Sequence, residues 1–175
     1  VLLDMTGIQS VERSDFISLA ELTDEVCCDL ASIADQKKVE LIQEEGDCTV
    51  TGSYLLLYRA VYNLVENAIK YNHPGGKVTV KISQKKAVPD PFAHSQSTDC
   101  AFVEVTDTGI GISPEFQEKI FDPFFRVDKS RSRAMGGAGL GLALVNEIAR
   151  QHGGQVKVLA SSEKGSTIAL ILPLS

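Results

Sequence analysis

The sequence predicts an α/β fold, a two-layer sandwich in which one mixed, mostly antiparallel sheet is covered by three helices. Two observations lead there. Three long stretches carry apolar residues at helical spacing: Leu19 to about Lys37, Ser53 to about Tyr71, and Leu142 to Ile148. Two strand pairs, KVTVKIS with AFVEVTD and QVKVLA with STIALILP, alternate apolar and polar residues.

Size and charge limit what such a domain does. The chain has 175 residues, 43% hydrophobic and 23% charged, enough for one ordinary globular core. Its net charge of −6 is the wrong sign for a general nucleic-acid binder. No apolar run reaches the roughly 18 residues of a membrane span, and no signal segment opens the chain. Cys27, Cys28, Cys48 and Cys100 lack zinc or redox spacing and read as reduced thiols.

The elements follow in order. VLLDMTGIQSVER, residues 1–13, has apolar residues with no partner segment before them, and a strand-like SDFIS comes next. SLAE supplies a capping box, Ser18 as N-cap and Glu21 at N3, for a helix whose stripe is Leu19, Leu22, Val26, Leu30 and Ile33. VELIQE and CTVTG are short strands. Ser53 caps the second helix, which stops before the turn cluster HPGG. Residues 84–100, polar and proline-containing, read as a long solvated hairpin loop. SPEFQEKIF reads as a short helix with Ser113 as N-cap and Pro114 at N1. The third long helix ends at His152-Gly153-Gly154, a basic turn with a glycine cap.

Four places depart from plain core building. On the second helix, Leu57, Val61, Leu64 and Ala68 form the apolar stripe, while Arg59, Asn63, Glu66, Asn67 and Lys70 share another face. Asparagine is a poor helix-interior residue, so Asn63 and Asn67 are either a tolerated solvated face or oxygen donors for a hard cation such as Mg²⁺. Asp107 falls on the apolar parity of Val103 and Val105. It either forms an Asp-x-Gly turn or accepts from an exocyclic amine, with Gly109 and Gly111 letting the backbone approach a flat ligand. FDPFFRVDKSRSR clusters Phe121, Phe124 and Phe125 with Arg126, Lys129, Arg131 and Arg133, as a basic surface loop or a lid reaching phosphate. MGGAGLGL fits neither the dinucleotide fingerprint nor the P-loop. It remains either a hinge or a set of backbone amides at a helix N-terminus, a good anion site.

Together these motifs resemble the ATP-binding domain of bacterial sensor histidine kinases, within the gyrase, heat-shock-chaperone and mismatch-repair ATPase superfamily. NLVENAIKY is similar to the N box, DTGIGI to the first glycine box, FDPFF to the F box, GGAGLGL to the second glycine box and KGSTIALILP to the closing segment. The match runs in order from about Ser18 to Leu174. The resemblance implies a Bergerat-type fold and an Mg-ATP site. Asn67 would hold Mg²⁺ with Asn63 assisting, and Lys70 and Tyr71 would contact phosphate or ribose. Asp107 would bind the adenine amino group with Thr167 nearby through water. Gly109 and Gly111 would shape the adenine floor, walled by Ile112 and Leu142. Arg126 and Arg133 would reach the γ-phosphate, and Gly137, Gly139, Leu140 and Gly141 would hold the triphosphate through backbone amides. Lys70 and Arg126 would serve transfer most directly.

Hydrolysing members of the superfamily carry a water-activating glutamate four residues before the metal-binding asparagine. Asn63 stands there, and Glu66 is about 100° away around the helix from Asn67. The resemblance therefore implies transfer to a protein histidine. His73, His94 and His152 lack the context of an acceptor, which would sit on a dimerisation helix outside this chain. Residues 1–13 would be the remnant of that dimerisation domain and its linker, and residues 14–175 the catalytic domain. The expected partners are that phosphoacceptor domain and a response regulator, with no nucleic acid and no membrane contact by this fragment. The fragment would be cytoplasmic and its full-length protein anchored in the inner membrane. A nucleotide-gated interaction module and an anti-sigma-type serine kinase are the alternatives.

Overall fold

The computed structural model describes residues 15–94, 96–123 and 139–175, with the backbone alone at 139–141. The expected lid with Arg126 and Arg133, as well as Phe124, Phe125, Gly137 and the segment 1–13, lies outside the described residues.

Strand β1 (Asp15–Ser18) leads into helix α1 (Leu19–Lys37) through the anticipated cap: Ser18 Oγ accepts from the Glu21 N–H at 3.3 Å. Leu22, Val26 and Leu30 are buried along one stripe. The stripe ends on Ala34, and Ile33, expected there, is 38% exposed. Lys38 closes the helix in the left-handed conformation, its N–H bonded to the Ala34 and Asp35 carbonyls.

Strands β2 (Glu40–Gln43) and β3 (Thr49–Gly52) precede helix α2 (Tyr54–Lys70), capped by Ser53. The Tyr54 and Tyr58 hydroxyls donate to Glu25 and Asp29 of α1, pinning the two helices side by side. Strands β4 (Lys77–Ala87) and β5 (Thr98–Asp107) pair antiparallel along their whole length. The connector is thus only 88–97, shorter than the loop expected over 84–100, because polar Gln84 to Lys86 continue the ladder on a solvated sheet end. Gln155 donates to the Val88 carbonyl at 2.7 Å, so the connector leans across the outer sheet face. That face carries a small cluster of Cys100, Phe102, Ala169 and Ile171.

The expected helix at SPEFQEKIF is instead two 3₁₀ turns, Pro114–Phe116 and Lys119–Phe121. Ser113 makes no side-chain cap bond, although Pro114 does sit in the first turn. The segment is short for a self-sustaining α-helix, and burial of Ile120 and Phe121 sets its path. Helix α3 (Gly139–Gln151) leads to strands β6 (Gln155–Ser162) and β7 (Gly165–Pro173).

The main sheet has strand order β2-β4-β5-β7-β6, with β2 and β4 parallel and every other pair antiparallel; β1 and β3 form a separate ribbon. A bulge interrupts β6 between Val158 and Ala160. The core lies between one sheet face (Val78, Val80, Val103, Val105, Leu170) and the apolar faces of α1, α2 and α3.

One buried histidine ties two helices together. His152 ends α3 as expected, followed by Gly153 at φ +73°. Its Nδ1 lies 2.8 Å from the Ile148 carbonyl and so carries the proton. Nε2 then accepts the N–H of Ser53, the cap of α2, at 3.1 Å. His152→Ala leaves that donor without its acceptor and opens a cavity. We expect a loss of about 2–3 kcal/mol, read from the urea midpoint; an unchanged midpoint would show the bridge to be dispensable.

Candidate functional site

The site is built on the C-terminal half of α2. Its stripe of Leu57, Val61, Leu64 and Ala68 is buried against the sheet, which turns Arg59, Asn63, Glu66 and Lys70 outward. Asn67 lies between the two faces and is only 8% exposed. Among the described residues its carboxamide has no hydrogen-bond partner, whereas its backbone carbonyl accepts from Tyr71 at 3.0 Å. The residue is mostly covered, and its amide is not committed to any described neighbour. An oxygen donor in that position suits a hard cation, so Asn67 fits Mg²⁺.

Glu66 lies 3.7 Å from the Lys70 ammonium, so the carboxylate nearest Asn67 in sequence is engaged along the helix. The Lys37 ammonium donates to the Lys70 carbonyl and closes the end of α2. Asn63 lines an open groove of about 380 Å³ with Tyr58, Arg59, Tyr62 and Leu144, between α2 and α3.

The Asp107 turn packs directly on that helix end. A Cβ at Gly109 would lie 2.4 Å from the Tyr71 carbonyl oxygen, and the Ile110 N–H points to the same oxygen at 3.4 Å. Gly111, at φ +74°, presses against the β6–β7 turn, where a Cβ would meet the Ser162 oxygen at 1.9 Å. Ile112 donates its N–H to Ser161 Oγ at 2.7 Å and packs against the core, as does buried Leu142. The glycines of the first box therefore serve backbone-to-backbone contact as well as any ligand.

Asp107 accepts the Gly109 N–H at 2.9 Å on one oxygen and the Ser166 hydroxyl at 3.0 Å on the other. Burial pushes its carboxyl up from the ordinary aspartate value, and these two hydrogen bonds offset part of the rise. Thr167 is not beside it, which corrects the expectation. The β5–β7 register sets Asp107 against Ser166 and Thr106 against Thr167. Alternation along the strand sends Thr167 to the outer face, where its hydroxyl bonds Thr106 at 2.9 Å. Ser166 holds the place assigned to Thr167, and reading the strand pair in register would have found it.

Of the remaining candidates, Gly139, Leu140 and Gly141 form the first turn of α3, while Gly137, Arg126 and Arg133 lie outside the described residues. Thus Asn67, Lys70, Tyr71, Asp107, Gly109 and Gly111 converge around one helix end.

Residues 52–175 match the family described as histidine kinase-, DNA gyrase B-, and HSP90-like ATPase. The chain belongs to this ATPase family. The ATPase-family chain is 35% identical over 176 residues to the sensor-like histidine kinase SenX3 of Mycobacterium tuberculosis, covering 98% of its own length and 40% of that protein. The mycobacterial sensor histidine kinase MprB superposes with a TM-score of 0.71 at 30% identity, over 92% of this chain and 97% of that one. Full-length ShkA in complex with AMPPNP shares the fold with a TM-score of 0.78 at 22% identity, over 99% of this chain and 34% of that one. The ATPase-family chain is thus similar to sensor histidine kinases in sequence and fold, and it spans about two fifths of the length of SenX3.

In this ATPase domain the raised carboxyl of Asp107 sets a pH-dependent penalty. A folded value above the unfolded one means that the contribution is most favourable in acid and is lost as pH rises through the folded value. Asn at 107 can still accept from Gly109 and donate to Ser166, but it carries no charge. Asp107→Asn should therefore gain stability relative to the parent as pH climbs from below the ordinary aspartate range towards neutrality, in thermal melts of the ligand-free domain. A parent that gains on the variant over that range would show the carboxylate to be stabilised instead.

Proposed function

We propose that this chain binds Mg-ATP and passes its γ-phosphate to a histidine on a dimerisation helix outside the chain, with a response regulator as the downstream acceptor. The observation that carries the proposal is the carboxamide of mostly covered Asn67, without a hydrogen-bond partner among the described residues and set one helical turn before the Tyr71 carbonyl on which the Asp107 turn rests. These two polar groups suit the two ends of one adenine nucleotide.

Asp107 would take the adenine amino group, its charge oriented by Gly109 and Ser166. Asn67 would hold Mg²⁺, assisted by Asn63, and the ion supplies neutralisation of phosphate charge. Lys70 would exchange Glu66 for a phosphate oxygen, and Arg126 and Arg133 would approach from the other side. The backbone amides at Gly137, Gly139 and Gly141 would close on the triphosphate. The acceptor imidazole nitrogen would form the new N–P bond as the bond from the γ-phosphorus to the bridging oxygen breaks, leaving ADP. Asn63 offers no carboxylate to activate water, which favours transfer over hydrolysis.

The segment 1–13 would continue the dimerisation domain, and the whole protein would be anchored in the cell membrane. Among the described residues no helix is long and apolar enough to cross one.

Asn67→Ala should bind ATP at least about tenfold more weakly in the presence of Mg²⁺ and lose the dependence on the ion, by calorimetry. Mg-ATP affinity equal to the parent would refute the metal assignment. Mixing the chain with ATP and its purified dimerisation domain should give acid-labile phosphate on that domain. Acid-stable phosphate on a protein partner would indicate a serine kinase, and none at all a nucleotide-gated module.

A further inference from the structure

We propose that Asn72 and Thr108 are positioning residues: a two-residue clasp that fixes the separation between the metal-facing end of α2 and the Asp107 turn. This rests on the nucleotide-binding reading above and adds to it two residues to which that reading assigns no ligand contact.

The clasp is fully connected. Asn72 is 7% exposed, two residues past the end of α2. Its Nδ2 donates to the Lys77 carbonyl at 2.9 Å, and its Oδ1 accepts the His73 N–H at 2.9 Å. That same Oδ1 accepts the Thr108 hydroxyl at 3.2 Å. Thr108 Oγ1 in turn accepts the Lys77 N–H at 2.9 Å, and the Thr108 N–H reaches the Lys77 carbonyl at 3.2 Å. One side chain from the α2 exit and one from the β5 exit thus grip the first residue of β4 from both sides. Gly76 leaves room for the grip: a Cβ there would lie 2.1 Å from Asn72 Oδ1 and 2.8 Å from Thr108 Oγ1.

The location gives the clasp its role. Thr108 is covalently next to Asp107, and Asn72 follows Tyr71, whose N–H bonds the Asn67 carbonyl. Each member is therefore attached to one of the two groups expected to hold opposite ends of the nucleotide. A ligand with two linked ends binds more tightly than its separate pieces only while the two subsites keep the matching distance. Loosening the clasp leaves each subsite intact but misaligned with the other.

The test compares Mg-ATP with adenosine on the 175-residue chain, by calorimetry for the first and by chemical-shift titration for the second. Thr108→Val keeps the shape and removes the hydroxyl; Thr108→Ser keeps the hydroxyl; Asn72→Ala removes the other half. Mg-ATP affinity should fall about tenfold in Thr108→Val and in Asn72→Ala, and the double variant should lose no more than the weaker single one. Adenosine affinity should stay within about twofold of the parent, and Thr108→Ser should keep Mg-ATP affinity. Ile171→Val on the outer sheet face, a change remote from the clasp, should leave both affinities unchanged.

Equal loss of adenosine and Mg-ATP would overturn the proposal, since that reports damage at Asp107 alone. Unchanged Mg-ATP affinity in Thr108→Val and Asn72→Ala, or a Thr108→Ser as weak as Thr108→Val, would overturn it too. A parent that binds no Mg-ATP would instead refute the nucleotide reading itself.

Discussion

The arrangement of the domain depends on one close contact, the seating of Gly109 against the carbonyl of Tyr71. No residue with a side chain can come that near. The turn after β5 is thereby joined to the last turn of α2. The same logic repeats outward: Gly111 meets the Ser162 carbonyl, and Gly165 meets the Asp107 carbonyl, where a Cβ would come within 1.9 Å. The helix end, the Asp107 turn and the β6–β7 turn form a stack of bare backbone. Side chains are excluded from its seams and so are free to project from its rim.

Two of those side chains do not serve the packing. Asp107 is ionisable in a place that disfavours its charge, and the carboxamide of mostly covered Asn67 has no hydrogen-bond partner among the described residues. Elsewhere several polar groups are tied into the fold: Ser18 and Ser53 cap their helices, and His152 uses both ring nitrogens, while Ser83 Oγ is buried without a partner. Local consistency broken at two groups that flank one helix end is the pattern expected of a ligand site rather than of an imperfect fold.

The sequence discloses what is local and conceals what is not. The caps at Ser18 and Ser53, the stripe of α2 and the alternation of Val78, Val80 and Ile82 depend on neighbours a few residues away, and all are found as read. Asn67 and Asp107 stand out locally too, the first as a poor helix-interior residue four positions from another, the second as a carboxylate on the apolar parity of its strand. Thr167 misleads because the choice between it and Ser166 is made by register with β5, some sixty residues upstream. The Asn72–Thr108 clasp is invisible along the chain, since its two residues meet each other and Lys77 only when α2, β4 and β5 are assembled. The helix expected at 113–121 gave way to two tight turns because burial of Ile120 and Phe121 outweighs the capping signal of Ser113.

The bulge between Val158 and Ala160 has a consequence beyond the strand that contains it. It lies on β6, one margin of the main sheet, and the opposite margin, β2, is only four residues long. An irregular border on one side and a stub on the other deny a second copy any straight row of amides to lengthen the sheet. Two such domains can be held close together at high local concentration without zipping into a continuous intermolecular β-structure.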